Sequence, residues 1–175
     1  MKRGLVVLSV VGLAFASVAS ASVQQGDTEL DFLAGWTSQN GEGDAGDLDA
    51  LFISAALGYF FTDNIQGQVV AMGAWTEVDN EDNDVYGIGI RGKYHFMPTN
   101  QWVPYVGGQF LWASADGDGL DGDGTMWGPV LGLRYELNAN NDFFAEYQYM
   151  MWEGDASDAI DDGHGLFFGL IHQFK

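Results

Sequence analysis

The last dozen residues of the chain, 164–175, alternate between two kinds of side chain. The odd positions are small, polar or mixed, and the even positions are Leu166, Phe168, Leu170, His172 and Phe174. A period of two residues predicts a β-strand with one apolar face. An unpaired apolar strand at a chain end would aggregate in water, so this strand needs a partner strand and an apolar environment. We expect it to close a barrel by pairing with the first strand, with its apolar face toward lipid.

Seven further stretches of the same kind precede this one. The alternation predicts strands at 28–36, 49–61, 65–77, 85–96, 102–113, 127–137, 143–152 and 164–175. Between them, short turns alternate with long Asp/Gly-rich loops at 39–47, 78–84, 114–124 and 153–163. Short turns at one end and longer loops at the other are typical of outer-membrane barrels. The predicted fold is therefore all-β, an eight-stranded antiparallel up-and-down transmembrane β-barrel.

Outward aromatic residues cluster at both ends of the predicted strands. The loop-end set is Trp36, Trp75, Tyr86, Trp112 and Trp127; the turn-end set is Tyr59, Phe61, Tyr94, Phe96, Trp102, Tyr135, Phe143 and Phe174. Two such belts are typical of a barrel whose ends lie at the two membrane interfaces. A water-soluble barrel or sandwich would bury its apolar face and expose the polar one, and the belts argue against that alternative.

The first 21 residues have the order of a secretory signal peptide. Basic residues at 2 and 3 precede an apolar run from Leu5 to Val18 and the small residues 19–21. We expect cleavage after Ala21, which leaves 22–175 as one β-barrel domain in the bacterial outer membrane. An N-terminal membrane anchor is the alternative, but the apolar run is shorter than the ~20 residues that a spanning helix needs.

Charge and cysteine content exclude several kinds of function. The chain has 25 acidic and 6 basic residues, with a formal net charge of −19. That balance argues against nucleic acid as a partner. The absence of cysteine from the sequence excludes thiol chemistry and thiolate metal sites.

Four parts of the chain carry recognisable strand and turn patterns. They are Leu57–Asn64, Tyr94–Pro98 with Val103–Gly108, Gly128–Tyr135, and Phe144–Tyr149. These runs resemble the small outer-membrane β-barrel domain family, whose members include the OmpA transmembrane domain, OmpX and OmpW. The resemblance covers essentially the whole chain after the signal peptide. Its motifs are strand and turn patterns, and they imply no enzymatic reaction. It implies contact with outer-membrane lipid and lipopolysaccharide, and delivery by periplasmic chaperones and the outer-membrane assembly machinery.

Charged residues of the predicted strands fall mostly on inward positions. An eight-stranded barrel is only wide enough for its own side chains, so we expect a packed polar core and not a wide channel. The predicted network consists of Glu29, Asp31, Arg91, Lys93, Gln109, Arg134, Glu136, Glu146 and Gln148. If the turn between the sixth and seventh strands centres near Asn140, Arg134 lies opposite Glu146 as a charged pair. A narrow conducting path through this network is the open alternative.

The long loops hold most of the acidic residues. Alternating Asp and Gly in Asp116–Gly124 offers hard oxygen ligands of the type that calcium uses. A weak Ca²⁺ or Mg²⁺ site could therefore involve Asp116, Asp118, Asp121 and Asp123. The spacing does not match an EF-hand loop, and solvated, mutually repelling loops are the alternative. No other cofactor is expected. Because the long loops are acidic, they would contact anionic lipopolysaccharide only through bridging cations.

Together these patterns predict a non-enzymatic outer-membrane protein, expected to be a monomer, with a structural or surface-interaction role. The alternative is a narrow porin-like channel for ions or small solutes. A lipid-modifying enzyme would need a serine, a histidine and an acid held together. His164, Ser157 and Asp158 are the only nearby set in the sequence. They lie in or beside a predicted loop, so we expect no catalytic residue.

Overall fold

The computed structural model describes residues 23–41, 48–78, 81–117, 122–154 and 160–174. Its strands are β1 (Thr28–Gly41), β2 (Leu48–Phe60), β3 (Ile65–Val78), β4 (Glu81–His95), β5 (Trp102–Gly117), β6 (Gly122–Asn138), β7 (Asn141–Gly154) and β8 (Ile160–Phe174). Each strand pairs antiparallel with the next, and β8 pairs with β1 to close the barrel. The predicted fold class is confirmed. The proposed signal peptide, 1–21, lies outside the described residues.

In the described part of the chain, no helix is long and apolar enough to cross a membrane.

The alternation of side chains sets which face of each strand points outward. On β4, Ile88 and Ile90 are each 59% exposed, whereas the next residue, Arg91, is 3% exposed. Successive side chains of a strand point to opposite faces, so an apolar outer wall and a charged interior arise from the same residues. The outer wall is suited to lipid, and the interior holds the charged groups.

The first and last strands meet as the sequence predicts. Thr28 lies opposite Phe174, and the pairing continues without interruption to Asn40 opposite Asp162. This ladder satisfies the edge hydrogen bonds of both strands, which is what a barrel requires within a bilayer.

Truncation of the chain after Ile171 is expected to prevent assembly of the barrel. The deletion removes the partners of Thr28, Glu29 and Leu30 and reopens the seam at the turn end. Outer-membrane fractionation and the heat-dependent gel mobility of folded barrels would measure this. Deletion of Lys175 alone is the matched control and should leave assembly unchanged. A truncated chain that still reached the outer membrane in folded form would contradict this account of the seam.

The strands extend further toward the loops than the apolar alternation predicts. β5 continues to Gly117 and β6 begins at Gly122, whereas the predicted loop was 114–124. β4 likewise begins at Glu81, within the predicted loop 78–84. Apolar alternation marks only the part of a strand that faces lipid, which needs about 9–11 residues. The backbone ladder requires no apolar side chains, so it continues above the lipid with polar residues.

Aromatic side chains form the two predicted belts on the outer wall. Trp75, Tyr86, Trp112 and Trp127 are exposed at the loop end, and Tyr59, Phe61, Tyr94, Phe96, Trp102, Phe143 and Phe174 are exposed at the turn end. Tyr135 is partly buried because its ring packs on Trp102, with 4.4 Å between ring centroids. The side chain of Trp36 lies outside the described residues. The belts mark the two ends of the apolar band.

Candidate functional site

The barrel interior has two zones along its axis. Toward the loops, buried apolar side chains form what we call the apolar plug: Leu33, Phe52, Val70, Met72, Leu111, Met126, Met150, Trp152 and Phe167. Toward the turns lies the charged layer: Glu29, Asp31, Arg91, Lys93, Arg134, Asp142 and Glu146. We expected a packed polar core, and the structure has one only toward the turns, because apolar side chains fill the loop half of the interior. Strand alternation shows that a residue points inward, but not at what height its side chain meets those of other strands.

Glu146 is the centre of one half of the charged layer. Arg91 Nη1 donates to its Oε1 at 3.1 Å, and Lys93 Nζ lies 3.3 Å from its Oε2. Tyr105 donates its hydroxyl to Oε2 at 2.8 Å, and Gln148 Nε2 donates to Oε1 at 2.6 Å. One fully buried carboxylate therefore satisfies two cations and two neutral donors, which is the condition under which a buried charge is tolerated.

The reach of Tyr105 to Glu146 depends on a glycine. Gly132 lies opposite both Tyr105 on β5 and Glu146 on β7. A Cβ atom at position 132 would overlap the Tyr105 ring and hydroxyl. The absence of a side chain at Gly132 therefore leaves the space in which the tyrosine crosses to the carboxylate.

Lys93 links Glu146 to Asp31. Its Nζ lies 3.5 Å from Asp31 Oδ2, which also accepts a hydrogen bond from Gln68 Nε2 at 2.7 Å. The same ammonium lies 4.7 Å from the ring centroid of Tyr105, a distance at which the ring face attracts a cation. Lys93 is thus held by two carboxylates and an aromatic ring.

Arg134 is the centre of the other half of the layer. Its Nη1 donates to Glu29 Oε2 at 2.9 Å, and its Nε donates to Asp142 Oδ2. Glu29 also accepts a hydrogen bond from Gln66 Nε2. One guanidinium therefore bridges β1 and β7 across the interior.

The predicted pairing of Arg134 with Glu146 was wrong. Arg134 lies opposite Phe144, and Glu146 lies opposite Gly132. The β6–β7 turn closes at Asn138 opposite Asn141, and a register shift follows between Glu136 and Asn138. The turn is centred between Ala139 and Asn140, and the irregularity shifts the ladder by one further residue, so the side chain of Arg134 meets Asp142 instead.

The other predicted network residues also have inward positions. Gln109 accepts from Arg91 Nη2 at 2.7 Å and donates to Gln148 Oε1 at 2.9 Å. Glu136 is half-buried at the turn end, directly across from Asp142. The structure therefore brings Gln109 and Gln148 into direct contact and leaves Glu136 at the rim of the layer.

Asp142 of the charged layer and five buried polar or aromatic residues around the layer were missing from the predicted network. They are Asp142, Gln66, Gln68, Gln173, Tyr105 and His95. Asp142 was assigned to a turn, because the Asn-rich segment before it resembles one. The others occupy inward positions of the predicted strands, so alternation alone could have indicated them. His95 contacts Gln66, with 3.1 Å between Nε2 and Oε1.

An N-terminal strap, residues 23–27, crosses the turn-end mouth of the barrel. It leads into β1, yet the Val23 amide donates to the Pro98 carbonyl oxygen at 3.2 Å, in the β4–β5 turn on the far side of the eight-stranded ring. Gly26 donates to the Phe60 carbonyl oxygen at 2.9 Å, and Gln25 donates to Asp63 Oδ1 at 2.9 Å. Val23 is buried. The strap therefore covers the charged layer at its open end.

Some buried polar atoms have no hydrogen-bond partner among the described residues. Those in the charged layer and beside it are Asp31 Oδ1, Gln68 Oε1, His95 Nδ1, Arg134 Nη2, Asp142 Oδ1 and Gln173 Oε1. Each such atom costs about 1–3 kcal/mol unless another group satisfies it. The layer thus has remaining capacity to bind small polar species.

Acidic residues of the predicted calcium loop are only partly described. Asp116 and Asp123 are exposed at the loop ends of β5 and β6, opposite Asp84 and Ser114 respectively. Asp118 and Asp121 lie outside the described residues. In the part of the chain that is described, no group of three or more His, Cys, Asp or Glu side chains is arranged to hold a metal ion. The loop site therefore stays a prediction.

Grooves formed by the described residues also occur on the outer wall. One of about 660 Å³ is lined by outward side chains that include Leu57, Val69 and Ile90. Another, of about 520 Å³, lies beside Tyr86 and Trp112 at the loop-end belt. Both face the region that lipid occupies, so neither provides an aqueous site.

Comparison with known proteins agrees with this architecture. The sequence profile of the outer membrane protein beta-barrel domain family matches residues 7–174. A search of curated protein sequences finds no match.

Three solved structures share the fold. Neisserial surface protein A is 19% identical, with a TM-score of 0.68, over 85% of this chain and 96% of that one. OprG from Pseudomonas aeruginosa is 14% identical, with a TM-score of 0.55, over 89% of this chain and 99% of that one. Ail, the attachment invasion locus protein of Yersinia pestis, is 12% identical, with a TM-score of 0.52, over 86% and 100%. At these identities the likeness concerns the fold alone.

Proposed function

Because this chain belongs to the outer membrane protein beta-barrel domain family, we propose that it is a non-enzymatic, non-conducting outer-membrane protein with a structural or surface-interaction role. The observation that carries the proposal is the filled interior. An ion entering from the turn end would meet the N-terminal strap, then the charged layer, then the apolar plug. Each is a barrier of a different kind, and all three lie on one axis.

The apolar plug is the strongest argument against conduction. Phe52 and Phe167 pack with 4.9 Å between ring centroids, and Met126 and Met150 are fully buried beside them in the same cluster. An ion would have to lose its hydration among these side chains without any polar replacement, and that is how a hydrophobic constriction closes a pore. The charged layer below it adds paired charges that hold one another in place.

A surface role fits the charge on the loop side. Asp84, Asp116 and Asp123 are at least partly exposed at the loop ends of their strands, above the aromatic belt. An acidic rim of this kind favours basic partners, or lipopolysaccharide bridged by cations. Ail, which shares the fold, is named as an attachment invasion locus protein. We propose that the protein is a monomer, surrounded by outer-membrane lipid and lipopolysaccharide and delivered by periplasmic chaperones and the assembly machinery.

Single-channel recording tests the proposal. The refolded protein, inserted into a planar bilayer, is expected to show no steady openings across the usual voltage range, because the interior is filled. A variant that combines Phe52→Ala with Met126→Ala empties part of the plug and is expected to stay silent too, since the charged layer and strap remain. A refolded porin recorded in the same chamber serves as the positive control.

The alternative function, a narrow channel, predicts the opposite result in the single-channel recording. Steady, ion-selective openings of the unaltered protein would contradict a non-conducting role. If those openings were lost when Arg91 is changed to Met, the conducting path would run through the charged layer. If they persisted in that variant, the path would lie elsewhere and the proposed closure would still be wrong.

A further inference from the structure

His172 lies on the outer wall at the turn end of β8, and its side chain is exposed. Its Nδ1 atom lies 2.9 Å from Oδ1 of Asn141, the first residue of β7. Its ring meets that of Phe174 edge to face, with 5.0 Å between ring centroids. The imidazole is therefore held in one orientation by two neighbours, although it is not part of the buried interior.

The hydrogen bonds around Asn141 determine which nitrogen of the imidazole carries the proton. The backbone amides of Asn140 and Asn141 both donate to one side-chain atom of Asn138 at 3.1 Å, so that atom is the amide oxygen. The side-chain atom of Asn141 that lies 3.0 Å from this oxygen must be a donor, which makes it the amide nitrogen. The other side-chain atom of Asn141 is thus an oxygen, which can only accept. His172 Nδ1 must therefore donate.

A proton on Nδ1 leaves a lone pair on Nε2 when the ring is neutral. Nε2 is the ring nitrogen farther from the backbone. On the adjacent strands, the described residues that share this face next to His172 are Thr28 and Leu30 of β1 and Asn141 and Phe143 of β7. None of these four side chains is a cation. The hydrogen-bond donor that Nε2 can accept from must therefore come from outside this part of the barrel.

The height of His172 along the barrel places Nε2 beside lipid headgroups. On β8 the residue lies between Phe174, a member of the turn-end aromatic belt, and Leu170, which lies opposite the belt residue Phe143. Aromatic belts lie at the level of the headgroups. A headgroup phosphate carries acceptor oxygens, which the lone pair of Nε2 repels. A headgroup with a primary ammonium carries N–H donors, which the lone pair accepts.

We propose that His172 Nε2 binds the primary ammonium of a phospholipid headgroup, as in phosphatidylethanolamine, in the leaflet at the turn end. The inference rests on the proposed contact of the barrel with outer-membrane lipid. Asn141 and Asn138 are positioning residues, because they act through the ring by fixing its tautomer. The site reads the chemistry of the headgroup and not only its charge.

Nitrogen NMR of the histidine-labelled protein tests the site. The protein is refolded at about pH 8, where a free imidazole is mostly neutral, into phosphatidylcholine vesicles with increasing phosphatidylethanolamine. Both lipids carry the same phosphate, but the quaternary ammonium of choline has no N–H to donate. The Nε2 resonance of His172 is expected to move toward that of a protonated nitrogen. One net hydrogen bond gives a preference of about 2- to 10-fold, so half of the shift is expected when ethanolamine lipid is roughly a tenth to a third of the total.

Three controls accompany this measurement. His164, exposed at the loop end of β8, reports general effects of vesicle composition, and its resonances are expected to change little. His172→Gln identifies the signal by its loss. Asn141→Leu removes the acceptor that fixes the tautomer, so the response of Nε2 is expected to weaken. Free ethanolamine added to phosphatidylcholine vesicles at the same total concentration should have no effect, which separates a headgroup from a soluble amine.

Several results would overturn the proposal. They are a neutral His172 with its proton on Nε2, an unmoved Nε2 resonance in ethanolamine lipid, an equal shift of His164, and an equal effect of free ethanolamine. An undiminished response of Asn141→Leu would remove the positioning role, and if that variant does not refold, the lipid comparison on the unaltered protein still decides. A barrel that entered vesicles of neither lipid would contradict the proposed lipid contact, and this inference with it.

Discussion

Replacing Glu146 by glutamine is expected to lower the free energy of unfolding by about 3–5 kcal/mol. The carboxylate is fully buried and is held by Arg91 at 3.1 Å and by Lys93 at 3.3 Å. Glutamine preserves the shape but removes the charge, so two buried cations lose the partner they share. Urea unfolding in detergent micelles, followed by tryptophan fluorescence, measures the change.

Glu153→Gln on the same strand is the matched control for this prediction. Glu153 is exposed near the loop end of β7. An exposed substitution of this kind changes stability by no more than about 0.5 kcal/mol. If Glu146→Gln were as mild as the control, the ion pairs of Glu146 would not contribute to stability, and the charged layer would not be the organising centre of the interior.

Replacing Arg134 by methionine is expected to destabilise the barrel by a similar amount, about 3–5 kcal/mol. Arg134 bridges Glu29 and Asp142, and its loss leaves both carboxylates buried without a cation. Methionine keeps most of the side-chain volume, so the effect measures lost charge and not a cavity. The same urea unfolding assay applies.

A compensated variant separates charge from packing. Arg134→Met combined with Glu29→Gln and Asp142→Asn removes the whole charge set, and complete replacement of buried ion pairs is often close to neutral. The triple variant is therefore expected to recover most of the lost stability. A triple variant as unstable as Arg134→Met alone would show that the guanidinium acts through its shape and neutral hydrogen bonds.

The contrast between β4 and the β6–β7 hairpin shows how far sequence reasoning extends. On β4, alternation alone places Arg91 and Lys93 inside and Ile88 and Ile90 outside, as the structure has them. In the hairpin, alternation also places Arg134 and Glu146 inside, but the two residues do not lie opposite each other as the sequence predicted. The partner of Arg134 depends on where the turn is centred and on one register shift near Glu136. Such a shift is a property of the turn backbone and leaves no periodic signal in the side chains.

The sequence by itself determined the fold class, the closing of β8 on β1, the aromatic belts and the inward positions of Glu29, Asp31, Arg91, Lys93, Arg134 and Glu146. These properties follow from a period of two residues, because in a strand that period alone decides which side chains face lipid. Only the tertiary structure decided which charges pair, that the loop half of the interior is apolar, and that the N-terminal strap crosses the mouth. Those properties depend on the relative height of side chains from strands that are distant in sequence, and that height is set by the tilt and register of the closed barrel.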